Sequence, residues 1–405
     1  MSERAQLALA GLTLVVLWAV ATTIGPFADT TVNDLYVYRS YADLLVGGRL
    51  PYLDFGFEYP PLAALLLWAA GLPGTGESAY AVSFAVLMGA CAVVGQQLAA
   101  QLARVADAAA TAVRGVAGPG RDAVVVAWLL AFTPIVIGAS VRTHFDALPI
   151  AITIGGLLAL ARERPGLGFA LLGAGTMTKL FPGLLAVIAF VWLFAARGKR
   201  RAALRGGAIF VAVVLAVSLP FAGSGYVESF TFHLDRPVQI ESTPATVLFA
   251  LGGSDVTGTS LRPDRFKSNG LDGGHAPEVQ RLFALLLLGA LCWVLALAAR
   301  ARDARHLVLC GFAALLAFVA LGKVFSPQYV IWLAPFAALA FVWGERLVAG
   351  LVGAAIVLTH VEFPSRYFDL INEQPGVILI VAARNVILLA ALGVLVSTLA
   401  ARSAR

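Results

Sequence analysis

Apolar runs dominate the chain, and each is interrupted by arginines or by a cluster of polar and turn-forming residues. A helix needs about 20 apolar residues to cross a bilayer. Runs of that kind fall near 6–24, 79–103, 123–139, 146–161, 167–178, 182–196, 206–222, 280–299, 306–322, 328–343, 347–361 and 377–399. The pattern predicts an all-α integral membrane protein of about twelve transmembrane helices, with residues 1–405 forming a single multi-pass membrane domain. The run Leu62–Leu72 is too short to span and ends at Pro73-Gly74, so it is expected to return to the side it entered from. The first run reads as a span rather than a signal peptide, because only Glu3 and Arg4 precede it among the charges and many spans follow.

One polar stretch stands apart. From Asn33 to Pro61 the chain reads NDLYVYRSYADLLVGGRLPYLDFGFEYPP, which collects Asp34, Asp43, Asp54 and Glu58 among five tyrosines. Its first half has helical period: Leu35, Tyr38, Ala42 and Leu45 share a face, Asn33 or Asp34 can cap it, and Gly47-Gly48 stops it. Arg39 and Asp43, four apart, can pair on the polar face. Pro60 and Pro61 hold the residues before them out of helix. An amphipathic helix of this length lies on a membrane rather than through it.

Composition narrows the class. The chain is 60% hydrophobic and 13% charged, with a mean hydropathy of +0.86; a soluble domain carries roughly twice that charge. The net charge of +6 does not imply nucleic acid, since the basic residues punctuate apolar runs and form no patch. On one side of the proposed topology lie 17 basic and six acidic residues, on the other 12 basic and 17 acidic. That asymmetry puts both termini in the cytoplasm and suits a multi-pass protein of the cell membrane. The outer side then holds residues 25–78, a first loop with juxtamembrane helices, and residues 223–278, a long loop whose Gly- and Asp-rich part is expected to be partly flexible. Cys91, Cys292 and Cys310 all fall in apolar segments and form neither a disulfide framework nor a metal motif.

Several polar residues gather on that outer side. Lys179 interrupts the run TMTKLFPGLL, about 20 Å up a core about 30 Å thick. A cation there either faces a cavity or partner, or snorkels to the headgroups. Asp146, beside His144 at the start of a span, caps the helix or faces a pocket. Asp34 is an N-cap by position, and acquires another meaning only if Glu58, Asp146, Lys179, Arg236, Lys323 and Gln328 converge with it. The tyrosines and Trp68 fit an interfacial aromatic belt or a sugar-stacking wall equally well. No His/Cys cluster or HExxH motif is present, so no metal site is expected.

The stretch DLYVYRSYADLLVGGRLPYLDFGFEYPPLAALLL resembles the first outer loop of C-type (GT-C) glycosyltransferases. It is most similar to the polyprenol-phosphate-mannose-dependent alpha-mannosyltransferase branch, glycosyltransferase family 87. TMTKLFPGLL, FHLDRPVQIESTPA and KVFSPQYVIWLAPFAAL follow in the order of that family's later landmarks, over residues 10 to about 345. The resemblance implies a GT-C-type fold and an inverting transfer of a sugar, by default mannose, to a lipid or glycan acceptor on the outer face. The donor is a polyprenyl-phosphate sugar, a co-substrate rather than a cofactor; arabinofuranose or another hexose is an alternative. It also implies Asp34 as general base, although the paired acidic motif common in the superfamily is missing. The phosphate needs cations, for which Lys179, Arg236, Lys323 and Arg142 are the candidates. Tyr38, Glu58, Tyr59, His144, Asp146, Glu241, Gln328 and Tyr329 are candidates for binding sugar or acceptor. A lipid-linked sugar transporter is the competing class, but transporters carry midplane charges on broken helices repeated in two halves.

Overall fold

The computed structural model describes residues 1–114, 120–259 and 268–403. Helix α1 (Glu3–Ile24) starts where the Ser2 hydroxyl accepts from the Ala5 amide. Helices α2 (Leu35–Val46) and α3 (Pro61–Gly71) follow, then the long α4 (Glu77–Arg114). A broken segment comes next: α5 (Gly120–Ala131), α6 (Thr133–Ile137) and α7 (Ser140–Thr143). Gly138 breaks it with a φ of +64°, and a Cβ there would lie 2.0 Å from the Phe27 carbonyl oxygen, so only glycine fits.

Helices α8 (Ala147–Ala161), α9 (Pro165–Thr176) and α10 (Pro182–Val191, extended by a π-helical turn to Ala196) are short. Proline opens α3, α9 and α10, where its missing N–H costs no hydrogen bond. The chain continues through α11 (Arg200–Ser218) and α12 (Ser224–Asp235), then β1 (Val238–Gln239), α13 (Thr243–Leu251), β2 (Asp255–Thr259) and β3 (Ser268–Asp272). The last five helices are α14 (Ala276–Ala298), α15 (Ala304–Leu321), α16 (Tyr329–Val342), α17 (Arg346–Glu362) and α19 (Pro375–Ser403), with the short α18 (Tyr367–Ile371) before the final one.

The protein is thus an all-α membrane protein, and each of the twelve apolar runs lies on helix. Among the described residues, seven spans are by themselves long and apolar enough to cross a membrane: α1, α4, α5 with α6, α11, α14, α15 and α19. The other five runs fall on α8, α9, α10, α16 and α17, of 10 to 17 residues. Short helices are tolerable where their irregular ends are buried in protein or line a cavity. Helix α15 is at the centre, with 89% of its span buried, while α11 buries only 11% and turns its apolar face outward.

Ion pairs gather the helix ends that carry the basic excess. Arg104 pairs with Glu3, and Arg305 with Asp107 at 2.5 Å, where Trp343 Nε1 also donates at 3.1 Å. Arg402 pairs with Glu345, and Arg197 and Lys199 with Glu163. Both chain ends therefore meet at one end of the bundle. Helices α15 and α17 run from that end to Gly322 and Phe363 at the other. Helix α3 stays at this second end: its Leu62 amide donates to the Met177 carbonyl at 2.8 Å, and just beyond its far terminus Thr75 bonds Asp43 of α2 at 2.9 Å. Arg39 pairs with Glu77 at 3.9 Å instead of with Asp43.

The aromatic residues of the tyrosine-rich loop divide between a buried cluster, the cavity lining at Tyr59 and the exposed surface at Tyr36. Tyr38, Tyr41, Tyr52 and Phe57 pack with Phe84 and Phe145 into a buried aromatic cluster, and Trp68 is exposed. Residues 223–278, expected as a partly flexible loop, contain α12, α13 and a three-stranded antiparallel sheet in the order β1-β3-β2. Residues 260–267, in the middle of that expectation, lie outside the described residues.

Single cysteines placed at the exposed Gly76 and Arg302, in a chain lacking the native three, should be labelled by an impermeant thiol reagent from opposite faces of the membrane. Labelling of both from one face would overturn the two-ended arrangement.

Candidate active site

At the second end of the bundle a cavity of about 630 Å³ opens between α2, the turn after α9, α12, β1 and the α15–α16 connection. Asp34 enters it from the N-cap position of α2. Its side chain makes no cap hydrogen bond; beside it, Asn33 Oδ1 accepts the Leu35 amide at 2.8 Å. The carboxylate is free to accept the Tyr38 hydroxyl at 3.0 Å, one turn on, and stands 3.5 Å from His144 Nε2. His144 is buried, with Nδ1 3.1 Å from both the Ser140 carbonyl and the Thr143 hydroxyl and Nε2 turned to Asp34. Asp34 itself keeps 31% of its side chain exposed, so it is held from behind and open in front.

Glu58 and Tyr59 line the same cavity. Burial pushes the Glu58 carboxyl above its ordinary value, with Arg236 opposing and the Asp34 charge adding to the rise. His233 of α12 contacts the Glu58 carbonyl at 3.0 Å and ties this loop to α12. Gly225 permits that approach, since a Cβ there would lie 2.1 Å from the Tyr52 carbonyl oxygen. Tyr59 packs edge-on against Phe145, 4.9 Å between centroids.

The four candidate cations divide. Lys179 lies on the turn after α9, its ammonium 2.6 Å from Asp146 Oδ1 and 4.8 Å from the centre of the Phe145 ring. Asp146 is fully buried and also accepts Trp332 Nε1. It neither caps α8 nor reaches the cavity; it is the counter-ion of Lys179. Arg236 lines the cavity, donates to Ser268 and has a buried Nε with no hydrogen-bond partner. Lys323 lines it too, but its ammonium donates to the carbonyls of Leu234 (2.5 Å) and Arg236 (2.8 Å), closing the C-terminus of α12. Burial and the nearby Arg236 lower the Lys323 ammonium from its ordinary value. Arg142 does not join them: its guanidinium donates to the Thr22 carbonyl at 3.2 Å and holds the end of α1.

Gln328, Tyr329 and Glu241 line the cavity, whereas Tyr38 is fully buried behind Asp34. Sequence reasoning missed Trp332, stacked between Phe181 (4.3 Å) and Tyr329 (4.0 Å), as well as Gln239 and His233. It also set aside the tail, yet Phe363 and Tyr367 line the cavity and Arg384 is buried close behind it. An arginine in the middle of the 29-residue apolar α19 was the available signal. Among the described residues no three His, Cys, Asp or Glu side chains gather as metal ligands.

An α-helical membrane bundle with carboxylates and cations facing one cavity has the parts of a membrane-embedded enzyme. The family model of Glycosyltransferase family 87 matches residues 57–259, half of the chain, and the protein belongs to that family. It is therefore a glycosyltransferase, and the transporter alternative falls. The match covers Glu58, His144, Lys179, Arg236 and Glu241, and begins after Asp34. No curated protein matches the chain.

Removing Asp146 while keeping Lys179 leaves a buried cation unpaired. Asp146→Ala should cost about 3–5 kcal/mol of stability, read as a lowered melting temperature. The double variant Asp146→Leu/Lys179→Met should recover much of that loss and remain inactive. A double variant no more stable than the single one would mean that the pair is not what holds this floor.

Proposed function

We propose that the protein transfers a sugar, mannose by its family likeness, from a polyprenyl-phosphate donor to a hydroxyl of a lipid or glycan acceptor. Asp34 is the general base. The observation that carries this is a carboxylate that makes no cap bond, held by the Tyr38 hydroxyl and open toward a cavity that three cations also line. The acceptor oxygen attacks the anomeric carbon as the bond to the phosphate oxygen breaks. The proton passes to Asp34, and polyprenyl phosphate leaves without needing one. Attack opposite the phosphate inverts the anomeric centre.

Lys179 and Arg236 supply the positive charge for the departing phosphate, with Lys323 contributing what its bonds to α12 leave over. With these cations in place the reaction needs no divalent metal, so activity should survive chelation; loss with EDTA and rescue by Mn²⁺ or Mg²⁺ would contradict this. The apolar lining at Leu180, Leu287 and Phe318, next to the exposed Leu282 and Leu286 of α14, suits a prenyl chain arriving from the bilayer. The excess of basic residues at the opposite end supports both termini in the cytoplasm of the cell membrane, with catalysis on the outer face.

The base assignment separates Asp34 from Glu58. Asn keeps the size of Asp, and the Asp34 side chain has no cap bond to lose, so Asp34→Asn should fold and bind donor normally while turnover falls about 10²–10⁴-fold. Retained turnover in Asp34→Asn together with its loss in Glu58→Gln would hand the role to Glu58.

A further inference from the structure

The cavity has a second polar wall that the proposed chemistry does not use. Gln239, on β1, and Glu241, just after it, both line the cavity and are each more than nine-tenths buried. Gln239 Nε2 donates to Glu241 Oε2 at 3.1 Å, which leaves Gln239 Oε1 and Glu241 Oε1 with no donor. Behind them the tail of the chain closes the cluster. Arg384 and Asn385 of α19 both donate to the Glu241 backbone carbonyl, Arg384 lies 3.9 Å over the Phe325 ring, and the fully buried Glu362 of α17 sits against Glu241. Two carboxyl groups and one guanidinium in so dry a place balance when the carboxyls keep one proton between them. The Glu241 carboxyl is accordingly raised well above its ordinary value by burial first and by Glu362 next.

An unpaired buried acceptor is costly, and Gln239 Oε1 is one, on a residue that lines the cavity. Acceptor oxygens repel phosphate and take protons from hydroxyls, while the adjacent guanidinium disfavours a metal cation. The subsite therefore suits a neutral ring with neighbouring hydroxyl groups. Its place beside the phosphate cations decides which ring. Strand β1 begins two residues after Arg236, and the Gln239 amide donates to the Lys323 carbonyl at 2.9 Å. A ring attached to a phosphate held by those cations reaches this wall first.

We propose that Gln239 and Glu241, positioned by Arg384 and Glu362, form the subsite that reads the hydroxyl groups of the donor sugar. This rests on the polyprenyl-phosphate reading above. The test compares binding of polyprenyl phosphate and of polyprenyl-phosphate mannose to the purified full-length chain, by tryptophan fluorescence. Gln239→Met keeps side-chain length and removes the amide. It should weaken the mannosyl lipid about five- to tenfold and leave the sugar-free lipid unchanged; Glu241→Gln should do the same or more. Gln239→Met decides if Glu241→Gln does not reach the wild-type melting temperature. Equal weakening of both lipids, or unchanged mannosyl-lipid binding in a folded variant, would overturn the subsite. Unchanged donor binding with a raised KM for acceptor would assign these residues to the acceptor and overturn it as well. Failure of the wild-type protein to bind either lipid would instead overturn the donor reading itself, and the subsite with it.

Discussion

A cation cannot stay charged inside a membrane bundle without compensation, and the Lys179–Asp146 pair is the compensation on which this cavity depends. Desolvating two charges is expensive, and their attraction offsets it only with good geometry and added hydrogen bonds. Here Asp146 accepts from both Lys179 and Trp332, and the ammonium lies near the faces of Phe145, Trp332 and Tyr329. The pair joins the start of α8, the turn after α9 and the first turns of α16. The termini of those elements therefore meet around one charge, and α8, α9 and α16 are among the helices of fewer than 18 residues.

The remaining charges of the cavity differ in how much of their hydrogen-bonding capacity the fold consumes. Lys323 spends two donors on the end of α12 and so holds that helix over the opening. Arg236 keeps a buried, unpaired Nε. Asp34 makes no cap hydrogen bond, and its carboxylate accepts only from the Tyr38 hydroxyl among the side-chain bonds of the described residues. In a protein of a glycosyltransferase family, carboxylates, cations and an apolar lining share one open cavity of about 630 Å³.

Much of this was legible in the chain. Apolar run length placed each of the twelve runs on helix, seven of them long and apolar enough to cross a membrane, and the arginines gather at one end of the bundle. The isolated lysine in TMTKLFPGLL was found by the same reasoning. The tyrosines were not resolved by it, since a belt, a binding wall and a buried cluster share one composition. Arg142 was misplaced for a similar reason: a cation near a cavity in topology is not a cation in it, and a carbonyl at the end of α1 claimed it.

By itself the sequence determined the class of protein, the helical runs, the two-sidedness of the bundle and the stretch that carries Asp34. Each of those follows from periodicity, run length or charge within a few tens of residues. Only the tertiary structure decided that Asp146 serves Lys179 rather than a helix cap, that residues 238–272 include a small sheet, and that Glu362 and Arg384 close behind Glu241. For the buried charges these facts depend on pairings between segments 33 to more than 140 residues apart. Which partner a buried charge finds is settled by the packing of whole helices, and no local pattern encodes it.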